Sequence, residues 1–228
     1  MHFPYHLIDL THALDEMIPS WNGSCGFEQS IKLDYEKEEP LSFRVQQLKM
    51  HAGIGTHLDA PAHCNRGELT IDQLSLTDLI APCVVIDVSD RADAEYALCV
   101  EEIEIFETSY GPIEPHSFVI LRTGWEQFWN QPKRYHNNYL FPSISGEAAQ
   151  FFLKRNVVGL GIDTLSPDKP RDGFPVHEAL LGANKYIIEN VANSSALPTT
   201  GSLIIALPIK TRGGTEAPMR LVALVSSN

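Results

Sequence analysis

The sequence predicts a single α/β domain built around a mixed β-sheet. Three observations lead to this prediction. Short apolar runs rich in β-branched residues alternate with helix-like segments, which is typical of α/β proteins. The fifteen prolines and fifteen glycines are spread between these runs, and no linker or internal repeat divides the chain. The length of 228 residues suits one domain, so we assign residues 1–228 to it.

The predicted strands follow the apolar runs in chain order. Most runs are apolar throughout, which indicates strands buried on both faces. The first run alternates apolar and polar residues, and it predicts a strand with one face in water. The seven predicted strands are residues 43–50, 83–88, 118–121, 157–162, 186–188, 203–207 and 220–225.

Two helices are predicted among these strands. Ser145 can cap the first turn of a helix over residues 145–156, in which Ala148 and Phe152 recur on one face. A shorter helix is predicted over residues 177–181. Together with the strands, these helices give the α/β class.

The overall charge disfavours two classes of partner. Seventeen basic and twenty-nine acidic residues give a net charge of −12, which repels nucleic-acid phosphates and anionic membrane surfaces. No apolar run has the length of a membrane span, and the first ten residues lack the pattern of a signal peptide. The cysteines, Cys25, Cys64, Cys83 and Cys99, are too scattered for a disulfide framework. We therefore expect a cytoplasmic protein without nucleic-acid or membrane partners.

Residues of the types that commonly bind metals are concentrated in one segment of thirteen positions, which contains His51, His57, Asp59 and His63. Alternate residues of extended backbone point to the same side, so these side chains can face one cavity if the extended backbone continues past Pro61. Imidazole and carboxylate together suit zinc, manganese or iron. The segment therefore predicts a metal site.

Further metal ligands must come from other parts of the chain. The candidates are His116, His136, His177 and Glu189. Glu189 interrupts an apolar strand, and a buried carboxylate needs a cation or several hydrogen bonds. Asp59, a carboxylate between two histidines, can bridge two cations.

Two other classes of protein stay open on these residues alone. A histidine and an aspartate at the spacing of His57 and Asp59, with a distant histidine, also form the iron site of non-haem oxygenases. The arginine that 2-oxoglutarate-dependent oxygenases usually place shortly after the distal histidine is missing, because the first arginine after His177 is Arg212. The other class is a non-catalytic protein whose metal only braces the fold, in which the site should be coordinatively closed.

Residues 55–63, GTHLDAPAH, resemble the signature of the putative cyclase family of metal-dependent hydrolases, which includes bacterial arylformamidase (kynurenine formamidase) and isatin hydrolase. The resemblance covers nearly the whole chain. It implies a mixed sheet curled into a barrel-like layer flanked by helices, assembled as a homodimer or homotetramer. The other blocks that resemble the family, in the same order, are residues 9–12, 122–125, 161–168, 177–182, 189–190 and 213–218.

The resemblance also implies roles for single residues. Family members bind one or two divalent cations, usually zinc or manganese, at positions that match His57, Asp59, His177 and Glu189. His63 matches the histidine regarded as proton donor and acceptor. The implied activity is hydrolysis of a carbon–nitrogen bond in an amide, formamide or lactam by metal-activated water, with N-formylkynurenine as the first substrate to test.

Two further positions bear on the substrate and the metal. Trp21 matches the aromatic residue that lines the substrate pocket. The family's usual pattern has a histidine four residues before His57, where this chain has Gly53. We expect His51 to serve as a metal ligand instead, because a shift of two keeps a strand residue on the same side. If His51 does not reach the metal, the first metal position has lost a ligand. The chain would then bind a single cation tightly, or it would be a family member with weakened activity.

Overall fold

The computed structural model describes residues 4–24, 26–35 and 41–227. Cys25 and the first three residues of the chain lie outside these ranges. The remaining cysteines are free thiols. Within the described ranges no helix is both long and apolar enough to cross a membrane. The cytoplasmic location stays a prediction.

The secondary structure is rich in short strands. The strands are β1 Tyr5–Asp9, β2 Phe27–Leu33, β3 Val45–Met50, β4 His57–Asp59, β5 Ile80–Asp87, β6 Ala97–Leu98, β7 Phe118–Arg122, β8 Ser143–Ile144, β9 Gly159–Ile162, β10 Tyr186–Glu189, β11 Ser202–Pro208 and β12 Glu216–Ser226. The α-helices are α1 Leu76–Leu79, α2 Val100–Tyr110, α3 Pro132–His136, α4 Gly146–Lys154 and α5 Pro175–Gly182.

Seven of the strands close into a ring. The order is β12, β11, β5, β7, β9, β10 and β4, and β4 pairs in turn with β12. The successive pairs from β5 to β10 are parallel, and the other pairs of the ring are antiparallel. Closure leaves no free edge in the ring. The predicted α/β class with a mixed, barrel-like sheet is therefore confirmed.

The apolar core lies on both faces of this ring. One buried cluster takes residues from six of the seven ring strands, such as Leu58 of β4 and Ile188 of β10, and it fills the barrel interior. A second cluster joins alternate residues of the central strands, such as Ile187, to α2, α4 and α5 outside the barrel. This confirms the prediction of strands buried on both faces. Residues one position apart in a strand face opposite sides, which fixes where the site can lie.

The prediction of a strand over residues 43–50 is confirmed, but the prediction that one of its faces is buried is wrong. The strand, β3, pairs with β2 in a separate two-stranded sheet. Val45 and Leu48 are 48% and 53% exposed, so neither face of β3 is covered within the described chain. Alternation of apolar and polar residues does not distinguish a half-buried strand from an exposed ribbon. The two predicted helices form as α4 and α5. The strands β1, β2, β4, β6 and β8 and the helices α1, α2 and α3 were not predicted.

Candidate metal centre

His57 and Asp59 lie on the outer face of the barrel. Leu58 between them is fully buried and belongs to the interior cluster, so its neighbours in β4 must point outward. Although β4 has only three residues, it is held on both sides, by β10 and by β12. Both side chains are therefore fixed by the sheet, and both residues are at most 5% exposed.

The extended backbone does not continue past Pro61, so that expectation is wrong. Proline has a fixed φ and no N–H donor, and residues Pro61–His63 turn into a 3₁₀-helix. His63 still reaches the site from this turn, where its imidazole ring lies 6.2 Å from the ring of His177. Its side chain is 34% exposed, in contrast to the buried histidines His57 and His177.

Glu189 and His177 complete the cluster from two other elements. Glu189 lies directly opposite His57 in the β10–β4 pair, and residues opposite each other share a face of the sheet. His177 comes from α5, which packs on this outer face of β10. The structure therefore brings together residues that are far apart in the sequence.

Each carboxylate offers one oxygen to each histidine. His57 Nε2 lies 3.6 Å from Asp59 Oδ1 and 3.3 Å from Glu189 Oε2. His177 Nε2 lies 3.7 Å from Asp59 Oδ2 and 3.5 Å from Glu189 Oε1. A tetrahedral ion with bonds of about 2.0–2.1 Å separates its ligand atoms by about 3.3 Å. The spacing therefore fits ligation of a divalent metal by these four side chains.

An unpartnered atom supports this fit. Asp59 Oδ1 is buried and accepts no hydrogen bond within the described chain. Burying a carboxylate oxygen without a partner is costly unless a cation compensates. One group of possible metal-binding residues joins His57, Asp59 and Glu189, and another joins Asp59, His63 and His177. The donor set, imidazole nitrogen with carboxylate oxygen, suits zinc or manganese.

Hydrogen bonds orient both buried imidazole rings. Nδ1 of His57 lies 2.9 Å from the carbonyl oxygen of Gly55, which can only accept, so this nitrogen carries the proton. The same carbonyl accepts a bond of 2.9 Å from Asn190 Nδ2. Nδ1 of His177 lies 2.7 Å from Asp168 Oδ2. Each ring therefore presents Nε2 to the carboxylates, as metal ligation requires.

The carboxylates also favour protonation of these rings. Burial alone lowers the pKa of His57, but the charges of Asp59 and Glu189 outweigh it and raise the pKa to about 10. Burial also lowers the pKa of His177. Asp168, Asp59 and Glu189 outweigh this effect and raise the pKa well above its usual value. A cation must displace these protons, so its affinity falls as the pH falls.

Asp168 is a site residue that the metal-ligand pattern missed. It is buried, and besides the His177 ring it accepts hydrogen bonds from the backbone N–H groups of Val176 at 3.0 Å and His177 at 2.9 Å. These bonds hold the start of α5 and fix the His177 ring. The sequence signal was present, because Asp168 closes one of the blocks that resemble the family.

We expect an Asp168→Asn variant to bind zinc or manganese about 10–100-fold more weakly than the wild type, because the amide cannot accept all three hydrogen bonds and has no charge to support His177. Competition with a chromogenic chelator measures the affinity. Asp172→Asn is the matched control, since Asp172 is an exposed acid on the same loop. Equal affinities of all three proteins would exclude a role for Asp168 in orienting His177.

A cavity of about 700 Å³ opens onto the cluster. This volume suits a small organic ligand. Trp21 lies on its wall, with its ring 4.7 Å from Tyr139 and 6.0 Å from Phe174. Phe174 precedes α5 in a left-handed backbone conformation, with φ of 62°, and it was not predicted. The site thus combines charged residues at its base with aromatic rings on its wall.

The other predicted histidines lie apart from the cluster. His51 is exposed and lines the cavity, but its ring packs over Gly26, and it joins neither group of possible metal-binding residues. His136 Nε2 lies 2.9 Å from the carbonyl oxygen of Trp21, so His136 donates a hydrogen bond to the backbone of a cavity-wall residue. His116 is exposed beside Asn156. The role of His51 as a metal ligand stays a prediction.

Comparison with known proteins gives consistent matches. Residues 8–169 match the family model described as Putative cyclase. The isatin hydrolase of Roseibium aggregatum is 30% identical over 207 residues, which cover 84% of this chain and 78% of that protein. The kynurenine formamidase of Bacillus thuringiensis strain Al Hakam is 29% identical over 217 residues, with 94% and 95% covered. A crystal structure of an isatin hydrolase bound to the product analogue thioisatinate superposes with a TM-score of 0.90 at 27% identity, covering 98% of this chain and 94% of that one.

Proposed function

Because the chain belongs to the cyclase family, we propose that it is a metal-dependent hydrolase that cleaves the carbon–nitrogen bond of an amide, formamide or lactam. The observation that carries this proposal is the pair of carboxylates, Asp59 and Glu189, each of which faces both His57 and His177. The related isatin hydrolase and kynurenine formamidase are named for a lactam and a formamide substrate, which supports this class of bond.

The cofactor in this proposal is zinc or manganese, with two cations per chain. His57, Asp59, His177 and Glu189 would hold them. When bound, such cations act as Lewis acids that activate water and polarise a carbonyl group. The buried, donor-free Asp59 Oδ1 supports a cation beside His57, and the oriented Nε2 of His177 supports a cation beside that residue.

Other residues of this chain would transfer protons and bind the substrate. His63 has the position of a proton carrier, because it lies at the cavity beside His177 and is partly exposed to solvent. It would take a proton from the attacking water and return it to the leaving nitrogen, which imidazole performs well near neutral pH. Trp21 and Phe174 would bind the aromatic part of the substrate on the cavity wall.

Hydrolysis assays with isatin and N-formylkynurenine test this function. Protein purified without chelator is assayed directly, after removal of its metal, and after zinc or manganese is restored. We expect turnover of at least one substrate that is lost on stripping and regained with metal. An oxygen electrode runs in parallel, because consumption of dioxygen would identify an oxygenase. Bound metal without turnover of any amide would favour a structural site or a weakened family member.

We also propose assembly as a homodimer or homotetramer. The exposed apolar side chains of the β2–β3 ribbon, among them Ile31, Val45 and Leu48, support this proposal. Phe27 and Met50 pack against a core cluster at one end of the ribbon, whereas its other apolar side chains are uncovered within the described chain. A two-stranded sheet is marginally stable by itself, so a second copy that covers these side chains would stabilise it. A single-chain mass in solution, measured by light scattering, would contradict assembly.

A further inference from the structure

Glu216 extends into the proposed metal site from β12. It lies directly opposite Asp59 in the β12–β4 pair, so the two side chains share the outer face of the barrel. The next residue, Ala217, faces the interior cluster, as the alternation of the strand requires. Glu216 also lines the cavity that opens onto His57 and Asp59. The sheet therefore directs a third carboxylate toward the proposed metal site, where Glu216, like His51, stands outside the two groups of possible metal-binding residues and would approach a cation from the cavity side.

The absence of a side chain at Gly53 makes room for this carboxylate. A Cβ atom on Gly53 would overlap with Glu216 Oε2 and would lie 3.4 Å from His57 Nε2. The carboxylate of Glu216 and the metal-binding nitrogen of His57 thus border the same small gap. Gly53 and Glu216 are complementary, since a side chain at position 53 would displace the carboxylate.

The charges around Glu216 also favour a cation near its carboxylate. Within residues 4–24, 26–35 and 41–227, the basic group within 4.0 Å of the Glu216 carboxylate is His63, whose Nδ1 lies 3.8 Å from Oε2. No lysine or arginine of these residues neutralises Glu216. The side chain is only 27% exposed, and Asp59, its partner in the β12–β4 pair, has a buried Oδ1 that accepts no hydrogen bond within the described chain. A cation would compensate the charge of two acidic residues on the same face of this strand pair.

We propose that Glu216 is a ligand of the cation beside His57, filling the place that Gly53 leaves open. This inference rests on the proposed metal site. Together with Asp59 and Glu189, Glu216 gives this cation three carboxylates and one imidazole. Carboxylate oxygen suits manganese better than an imidazole-rich set does, so Glu216 favours manganese over zinc at this position.

Metal binding by purified variants tests the proposal without an activity assay. Metal-free protein is titrated with manganese, and bound and free ions are counted by electron paramagnetic resonance. We expect Glu216→Gln, which keeps the shape and removes the charge, to lose one of two bound ions or to weaken its affinity at least about tenfold. Glu178→Gln is the control, because Glu178 is exposed beside His177 and should bind as the wild type does.

A rescue variant separates a ligand from a structural residue. In Gly53→His combined with Glu216→Ala, the new imidazole can enter the vacated space beside His57. We expect this double variant to recover the ion that Glu216→Ala loses and to prefer zinc to manganese. A residue that only supported the fold would not be replaced by a histidine on a different segment.

Three results would overturn the proposal in distinguishable ways. Manganese binding by Glu216→Gln equal to that of the wild type would exclude Glu216 as a ligand while leaving the site intact. Loss of the ion in His51→Ala but not in Glu216→Gln would assign the ligand to His51. A wild-type protein that binds neither manganese nor zinc would remove the metal site itself, and the proposed function with it.

Discussion

We expect an Asp59→Asn variant to lose both cations together. Asp59 faces His57 with one oxygen and His177 with the other, so its loss removes a ligand from both positions at once. An amide nitrogen cannot replace the second oxygen. Several kcal/mol of transition-state stabilisation depend on the metal, so turnover should fall by roughly a thousandfold or more. Elemental analysis of the variant, together with its rate of amide hydrolysis, measures both effects.

Metal-free stability distinguishes this result from unfolding. Burial and the charge of Asp59 raise the pKa of Glu189, whereas His57 and His177 outweigh burial and lower the pKa of Asp59. Asp59→Asn therefore removes a repulsion by Glu189 and an attraction to the two imidazole rings together. We expect the metal-free variant to keep a cooperative thermal unfolding transition like that of the metal-free wild type, which calorimetry measures. An Asp59→Asn protein that keeps its metal and its turnover would contradict the proposed site.

The second large effect concerns His63. We expect His63→Ala to keep its cations and to lose turnover by about 10²–10⁴-fold, since the variant lacks its proton carrier. Unlike His57 and His177, His63 is partly exposed on a 3₁₀ turn. The measurements are metal content and kcat, with His116→Ala as the control because His116 is exposed away from the cluster.

Each alternative outcome for His63 has a separate meaning. Loss of a cation in His63→Ala would make His63 a ligand together with Asp59 and His177, a group that the geometry permits. Unchanged turnover would exclude His63 from the reaction. Partial recovery of turnover on addition of free imidazole would support the proton-carrier role directly, because imidazole can diffuse into the open cavity.

The strands and helices of the central sheet could be predicted because their signals are local. Apolar, β-branched runs marked β5, β7, β9, β10 and β11, and capping by Ser145 marked α4. By contrast, β4 is a three-residue strand, His57–Asp59, that contains two charged or polar side chains. Its extended form results from pairing with β10 and β12, and no propensity of its own residues predicts it.

The same distinction applies to the site. His57 and Asp59 were visible because they are neighbours in the sequence. Glu216 and Asp168 were not selected as site residues, since their proximity depends on strand pairing and on the start of α5. The turn at Pro61 could have been expected, because proline restricts the backbone, but its effect on the position of His63 could not. Residues that act through long-range pairing give little local signal.

The position of β4 between β10 and β12 has a consequence for folding. His57 reaches its final position only when β4 has paired with β10 and β12, two strands from the second half of the chain. Such contacts between distant parts of a chain form slowly, since the intervening loops must be closed first. A cation at the proposed site would therefore bind after the barrel has formed. We expect added zinc or manganese to slow the unfolding of this protein while leaving its rate of refolding nearly unchanged, as stopped-flow kinetics with and without metal would measure.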